Sequence, residues 1–172
     1  MNREQLNAIS DVADTIRKHY GISTPIQENC DSLIRRIGGE LKIESALTKA
    51  RIVRTDGDHD FEMIVPRRSD DHMMKDIIGL MLGHLFLHMQ YNIYPDKWEN
   101  AVSPFCVEDT TESQEEKAKI FYFSLFMPRD EFIDVFLQNT KNDHVLMSGV
   151  AKYFDVSADT AAVWARALRL IN

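Results

Sequence analysis

Residues 71–90, DHMMKDIIGLMLGHLFLHMQ, are apolar at almost every turn of a helix, and this stretch constrains the fold more than any other. An amphipathic surface helix would alternate its faces, whereas a helix apolar nearly all round has to lie inside a domain with other elements packed about it. The most apolar run, Ile77 to Met89, is broken by Gly83, His84 and His88, so it is too short and too polar to span a bilayer. The chain can supply the covering. It has 172 residues, 44% of them apolar, and a chain of that size buries roughly two-thirds of its unfolded surface.

The flanking sequence predicts what covers this helix. Leu6, Ile9, Val12, Ala13 and Ile16 recur at helical spacing over residues 3–19, and a second helix is expected from about residue 26 to Gly38-Gly39. Leu41-Lys42-Ile43, Arg51-Ile52-Val53 and Phe61-Glu62-Met63-Ile64-Val65 read as three short strands, the last closed by Pro66. Residues 91–107, with Pro95 and Pro104, read as a loop. Helices follow over 111–126 (Glu112, Glu115 and Glu116 suit its positive N-terminus), 129–137, 145–154 and 158–170, the last capped by Ser157. The expected class is therefore α+β, mainly helical, with a small three-stranded sheet.

Charge and cysteine content exclude several functions. The net charge of −7 disfavours sequence-independent binding to nucleic acid, which needs clustered Lys and Arg, and it disfavours an anionic membrane surface. Cys30 and Cys106 lack CxxC spacing and are expected to be buried free thiols. The N-terminus MNREQLNAISDVADT has no apolar core of a signal peptide, so a cytoplasmic protein is expected. There is no phosphate-binding glycine loop and no nucleophile elbow.

The central helix and two later blocks carry a family resemblance. Gly83-His84 and Leu87-His88 match, in register, the H-E-[LI]-G-H-x-x-L-H helix of ImmA/IrrE-type zinc metallopeptidases. Glu115-Glu116-Lys117-Ala118-Lys119-Ile120-Phe121 with Leu125-Phe126-Met127-Pro128 resembles that family's downstream block, and Val150 to Ser157 resembles the stretch that often follows. Order and spacing agree over about residues 25–170. The resemblance implies a minimal zincin-like domain over residues 1–137, with a helix-turn-helix-like subdomain, 138–172, packed on it.

The departures from that pattern concern its chemistry. A zincin needs two His at i and i+4 to hold one metal, and the Glu after the first His to take a proton from the metal-bound water. Leu80 stands at the first ligand position and Met81 at the base position. Leucine has no donor atom, and zinc rarely accepts a thioether. His84 remains at the second ligand position and Glu115 at the third. No catalytic residue is therefore expected, and no cofactor beyond weakly held zinc. His88 lies four residues after His84, so a displaced metal set of His84, His88 and Glu115 is an alternative; in that register Leu85 follows the first His and the base is still missing. Otherwise these histidines are buried polar residues hydrogen-bonded to carboxylates or carbonyls.

Other histidines and methionines read as structural. Asp56-Gly57-Asp58-His59-Asp60 lacks the terminal Glu of a calcium loop and is expected to be a solvated turn. Asp70-Asp71-His72 is an exposed helix start. Met73, Met74, Met81 and Met89 fill the core or line a groove. The helix after Ser157 opens with an acid and offers only Arg166 and Arg169 near its end, so packing onto the domain or a partner fits it better than reading a DNA groove. By the resemblance, the expected function is a catalytically inactive, metallopeptidase-like regulator of a mobile element, phage or stress regulon that binds a protein partner such as a repressor. A zinc endopeptidase using the displaced set, and a DNA-associated regulator acting through the C-terminal helices, are the alternatives.

Overall fold

The computed structural model describes residues 1–142 and 144–172. In chain order the elements are α1 (Arg3–Tyr20), α2 (Cys30–Ile37), β1 (Gly39–Glu44), β2 (Arg51–Arg54), β3 (Phe61–Pro66), α3 (Asp71–Leu87), α4 (Pro95–Glu99) and β4 (Phe105–Cys106). A 3-10 turn at Val107–Asp109 leads into α5 (Glu112–Phe126), followed by α6 (Arg129–Gln138), β5 (Thr140–Lys141), β6 (His144–Val145), α7 (Met147–Phe154) and α8 (Ala158–Ala167). The fold is α+β and mainly helical, as the sequence predicts. No helix of the described residues is long and apolar enough to cross a membrane.

The chain divides into two compact units, Met1 with Glu28–Tyr122, and Asn2–Gln27 with Phe123–Asn172. The expected boundary at 137/138 falls inside the second unit, because α1 groups with the C-terminal helices. The division itself falls within α5.

In the first unit the sheet has four strands in the order β1-β3-β2-β4, one more than expected. β3 runs parallel to β1 and antiparallel to β2. Its Phe61, Met63, Ile64 and Val65 are all buried, the near-continuous apolar run of a strand covered on both faces. The fourth strand lies in the segment read as a loop, where Phe105 and Cys106 pair with Ile52 and Arg51.

The central helix is where the sequence puts it. Asp70 caps α3 by accepting the Met73 N–H at 2.9 Å. Ile78, Met81, Leu82, Leu85 and Phe86 are all buried. The helix stops at Leu87 rather than residue 90, and Gln90 and Asn92 then take left-handed backbone (φ 62° and 53°) to turn the chain. Gly79 and Gly83, one turn apart, bring α3 close to α5. A Cβ on Gly83 would lie 2.5 Å from the Ala118 carbonyl oxygen, and one on Gly79 would lie 2.1 Å from the Tyr122 ring. α5 opens in a reciprocal cap, in which Gln114 N–H donates to the Thr111 hydroxyl and Thr111 N–H donates to the Gln114 side chain.

In the second unit Phe123, Phe132, Phe154 and Trp164 form one aromatic cluster. Phe132 stacks on Phe154 at 5.7 Å between centroids, and the Trp164 indole donates to the Met127 carbonyl at 2.9 Å. Ser157 caps α8 as expected, accepting the Thr160 N–H at 3.0 Å.

Three smaller expectations need correction. Cys30 and Cys106 are free but half-buried rather than buried, each lying at the start or edge of an element. Met73 is 51% exposed, since it sits in the first turn of α3 before the helix enters the core. α2 begins at Cys30, not near residue 26, because Asn29 caps it by accepting the Ser32 N–H at 2.8 Å.

Candidate functional site

The close approach of α3 and α5 places Glu115, His84 and His88 in one line. His84 is fully buried, and its Nε2 lies 3.1 Å from Glu115 Oε1. Its Nδ1 lies 3.0 Å from His88 Nδ1, one turn on. Glu115 also accepts the Thr110 hydroxyl at 2.5 Å. Phe105, on the β4 edge, covers the His84 ring at 5.2 Å between centroids. Tyr122 ties the two helices together again by donating to Asp76 at 2.6 Å.

These contacts fix the protons. A carboxylate only accepts, so His84 Nε2 donates to Glu115. A neutral imidazole has one donor and one acceptor, so His84 Nδ1 accepts from His88 Nδ1–H. His88 Nε2 is then a lone pair, and it is buried with no protein partner. Both rings are neutral at pH 7. Burial lowers the His84 pKa against the opposing pull of Glu115. Burial first, then the neighbouring His84, lowers that of His88 to about 4.

A zinc ion, which the family resemblance implies, does not fit the residues present. His84 and Glu115 supply two donors at a plausible spacing, but apolar Leu80 and Met81 stand where the resemblance puts the first ligand and the base. Met81 is fully buried among core residues. The displaced set fails on geometry, because Glu115 and His88 lie against opposite nitrogens of His84 and the three donors do not converge. Among the described residues, three metal-type donors come within 4.8 Å of one another at one place, formed by Glu40, His59 and Glu62.

Sequence reasoning missed that second cluster. Glu40 and Glu62 are register partners in the parallel β1–β3 pair, so their side chains share a face. His59 Nε2 lies 3.6 Å from Glu40 and 3.7 Å from Glu62. The turn is solvated as expected at Asp56, Gly57, Asp58 and Asp60, but the His59 ring is half-buried and its Nε2 is shielded from solvent. Lys42 joins the cluster at 2.6 Å from Glu62 and 3.5 Å from Glu40. The Glu62 hydrogen bond raises the Lys42 pKa, and the same bond lowers that of Glu62. No local motif announces this group, since the strand register assembles it.

Two further surfaces are visible in the second unit. A groove of about 530 Å³ lies between α1 and the start of α6, lined by Asp11, Asp14, Arg17, Arg129 and Glu131 among others. Its charges nearly balance, and it holds no acid–base or nucleophile pair. On α8 the exposed residues are Ala158, Asp159, Val163 and Arg166, a face with one base and one acid. Such a face is poorly suited to reading DNA bases.

No family model matches the sequence, and no curated protein matches it. Among solved structures the fold is similar to a Mycobacterium tuberculosis transcriptional regulator, with a TM-score of 0.54 and 18% identity. The likeness covers 90% of this chain and 45% of that one, so the chain spans under half the length of that regulator. At this identity the likeness establishes the fold alone.

Proposed function

We propose that this chain is a non-catalytic, metallopeptidase-like regulatory module that acts by binding a protein partner, a repressor being the class the family resemblance implies. One observation carries the reading. His84 and Glu115, the residues matching two of three zinc ligands, face each other at 3.1 Å across α3 and α5, while Leu80 and Met81 occupy the remaining positions with apolar side chains. The pair is engaged in a hydrogen-bond chain that runs from Thr110 through Glu115 and His84 to His88, with no side chain at the position of a general base. The regulatory part draws support from the transcriptional regulator that shares the fold.

Two experiments test the halves separately. For the site, the purified chain is assayed for cleavage of unfolded and repressor-type proteins with zinc added. No cleavage is expected, and zinc-dependent cleavage lost in His84→Ala overturns the reading. For regulation, the gene is deleted and transcripts of its flanking genes are measured. A change that Glu115→Gln complements as well as the parent is expected. Unchanged transcripts at every flanking gene sink the regulatory half.

A further inference from the structure

We infer that Glu40, His59 and Glu62 form a site for a first-row divalent transition metal of the zinc class, in which Lys42 acts as a displaceable placeholder. The inference is independent of the metallopeptidase-like reading.

Spacing is the first argument. Donors sharing a tetrahedral metal at zinc's N and O bond lengths stand about 3.3–3.6 Å apart. His59 Nε2 stands 3.6 and 3.7 Å from one oxygen of each glutamate. That is too long for a hydrogen bond and close to the edge of a coordination shell. The ring nitrogen is shielded from water, faces both carboxylates, and makes no hydrogen bond.

The cluster is also held in place. The β1–β3 register fixes Glu40 beside Glu62. The backbone around His59 is pinned on both sides: Thr55 N–H donates to the Asp60 carbonyl at 3.0 Å, the Thr55 hydroxyl donates to the His59 carbonyl, and Asp60 N–H donates to the Gly38 carbonyl at 2.9 Å. The Asp60 carboxylate in turn accepts the Tyr91 hydroxyl at 2.6 Å. These contacts aim the imidazole without lending it a partner.

Lys42 marks where the cation goes. Its ammonium sits against the same two glutamate oxygens that face His59. The side chain is 41% exposed, so it can swing into water when a divalent ion takes its place. One imidazole and two carboxylates suit zinc and its neighbours better than calcium or magnesium, which prefer all-oxygen shells. Three protein ligands leave the fourth position for water or a partner's side chain.

The test is calorimetric titration of the chelator-stripped 172-residue chain with zinc chloride, repeated with cobalt chloride to read the visible bands of tetrahedral coordination. We expect one zinc per chain, tightened by about tenfold or more in Lys42→Met, and weakened by about tenfold or more in His59→Gln and Glu62→Gln. His84→Ala should leave the affinity within about twofold, which separates this site from the α3–α5 pair. Circular dichroism of each variant checks folding, and Lys42→Gln stands in if Lys42→Met does not fold. The inference is overturned if parent and Lys42 variant both take up no zinc at large molar excess, if His59→Gln binds like the parent, or if His84→Ala abolishes binding.

Discussion

His88 is the residue whose ionisation the fold alters most legibly. Its ring is half-buried, its Nδ1–H is committed to His84, and its pKa lies at about 4 against about 6.5 in an unfolded chain. Between those values the unfolded state binds more protons than the folded one, so stability rises with pH across the window. The contribution is fully present above about pH 6.5 and is lost as pH falls toward 4. Urea midpoints measured at about pH 7 and about pH 5 should fall more steeply for the parent than for His88→Gln, which keeps a donor for His84 but does not titrate. Equal slopes would mean that His88 titrates alike in the folded and unfolded chain and that burial does not lower its pKa. Ser157 offers a second check at this scale. Its hydroxyl is the side-chain cap of α8, so Ser157→Ala should cost about 1 kcal/mol in denaturant unfolding, and Ser157→Asp should cost much less. A change below about 0.3 kcal/mol for the alanine would place the start of the helix elsewhere.

At the scale of elements, the contact between α3 and α5 depends on two missing side chains. Alanine is normally the better helix former by about 1 kcal/mol, so Gly83→Ala in isolation would stabilise α3. Here the added methyl meets Ala118 backbone at 2.5 Å, and backbone cannot rotate away. We expect Gly83→Ala to cost about 3 kcal/mol and to part His84 from Glu115. Gly79→Ala meets the Tyr122 ring, a side chain that can shift at the expense of its Asp76 bond, and should cost less. A calorimetric melt comparing the two variants decides the order, and a stabilised Gly83→Ala would refute the close approach. The helices themselves were legible because periodicity and caps are local: α3 from its all-round apolar pattern, α8 from Ser157. β4 was not, because two residues after Pro104 become a strand only by pairing with Ile52. The His84–Glu115 meeting is what the family resemblance implies; nothing in the spacing of the two segments alone shows it. The Glu40–His59–Glu62 group was not legible either, because a parallel register joins positions about twenty residues apart and leaves no trace in either segment.

For the whole molecule, the sharpest question is whether the first unit has the metal-site geometry that the family resemblance implies. His84 and Glu115 lie 3.1 Å apart, a spacing that two ligands of one zinc can adopt. Position 80 is one helical turn before His84, so an imidazole there would approach from the adjacent turn. Position 81 is fully buried, and a glutamate placed there is desolvated until a metal or water engages it. Leu80→His, Met81→Glu should therefore lower stability before metal is added, by roughly 1–3 kcal/mol for each group left unsatisfied, and should recover part of it when zinc binds the folded state. His84 would have to release His88 no further than a tautomer change, since its Nε2 already faces Glu115. The measurement is zinc content by atomic absorption, with Leu80→His as an intermediate. All variants are made in a His59→Ala background, so that metal held by the other cluster is not counted. The double variant should take up about one more zinc per chain than its background, and the single variant less. If the double variant folds and gains none, position 80 does not face the His84–Glu115 pair, and the alignment of α3 with a zincin helix is out of register.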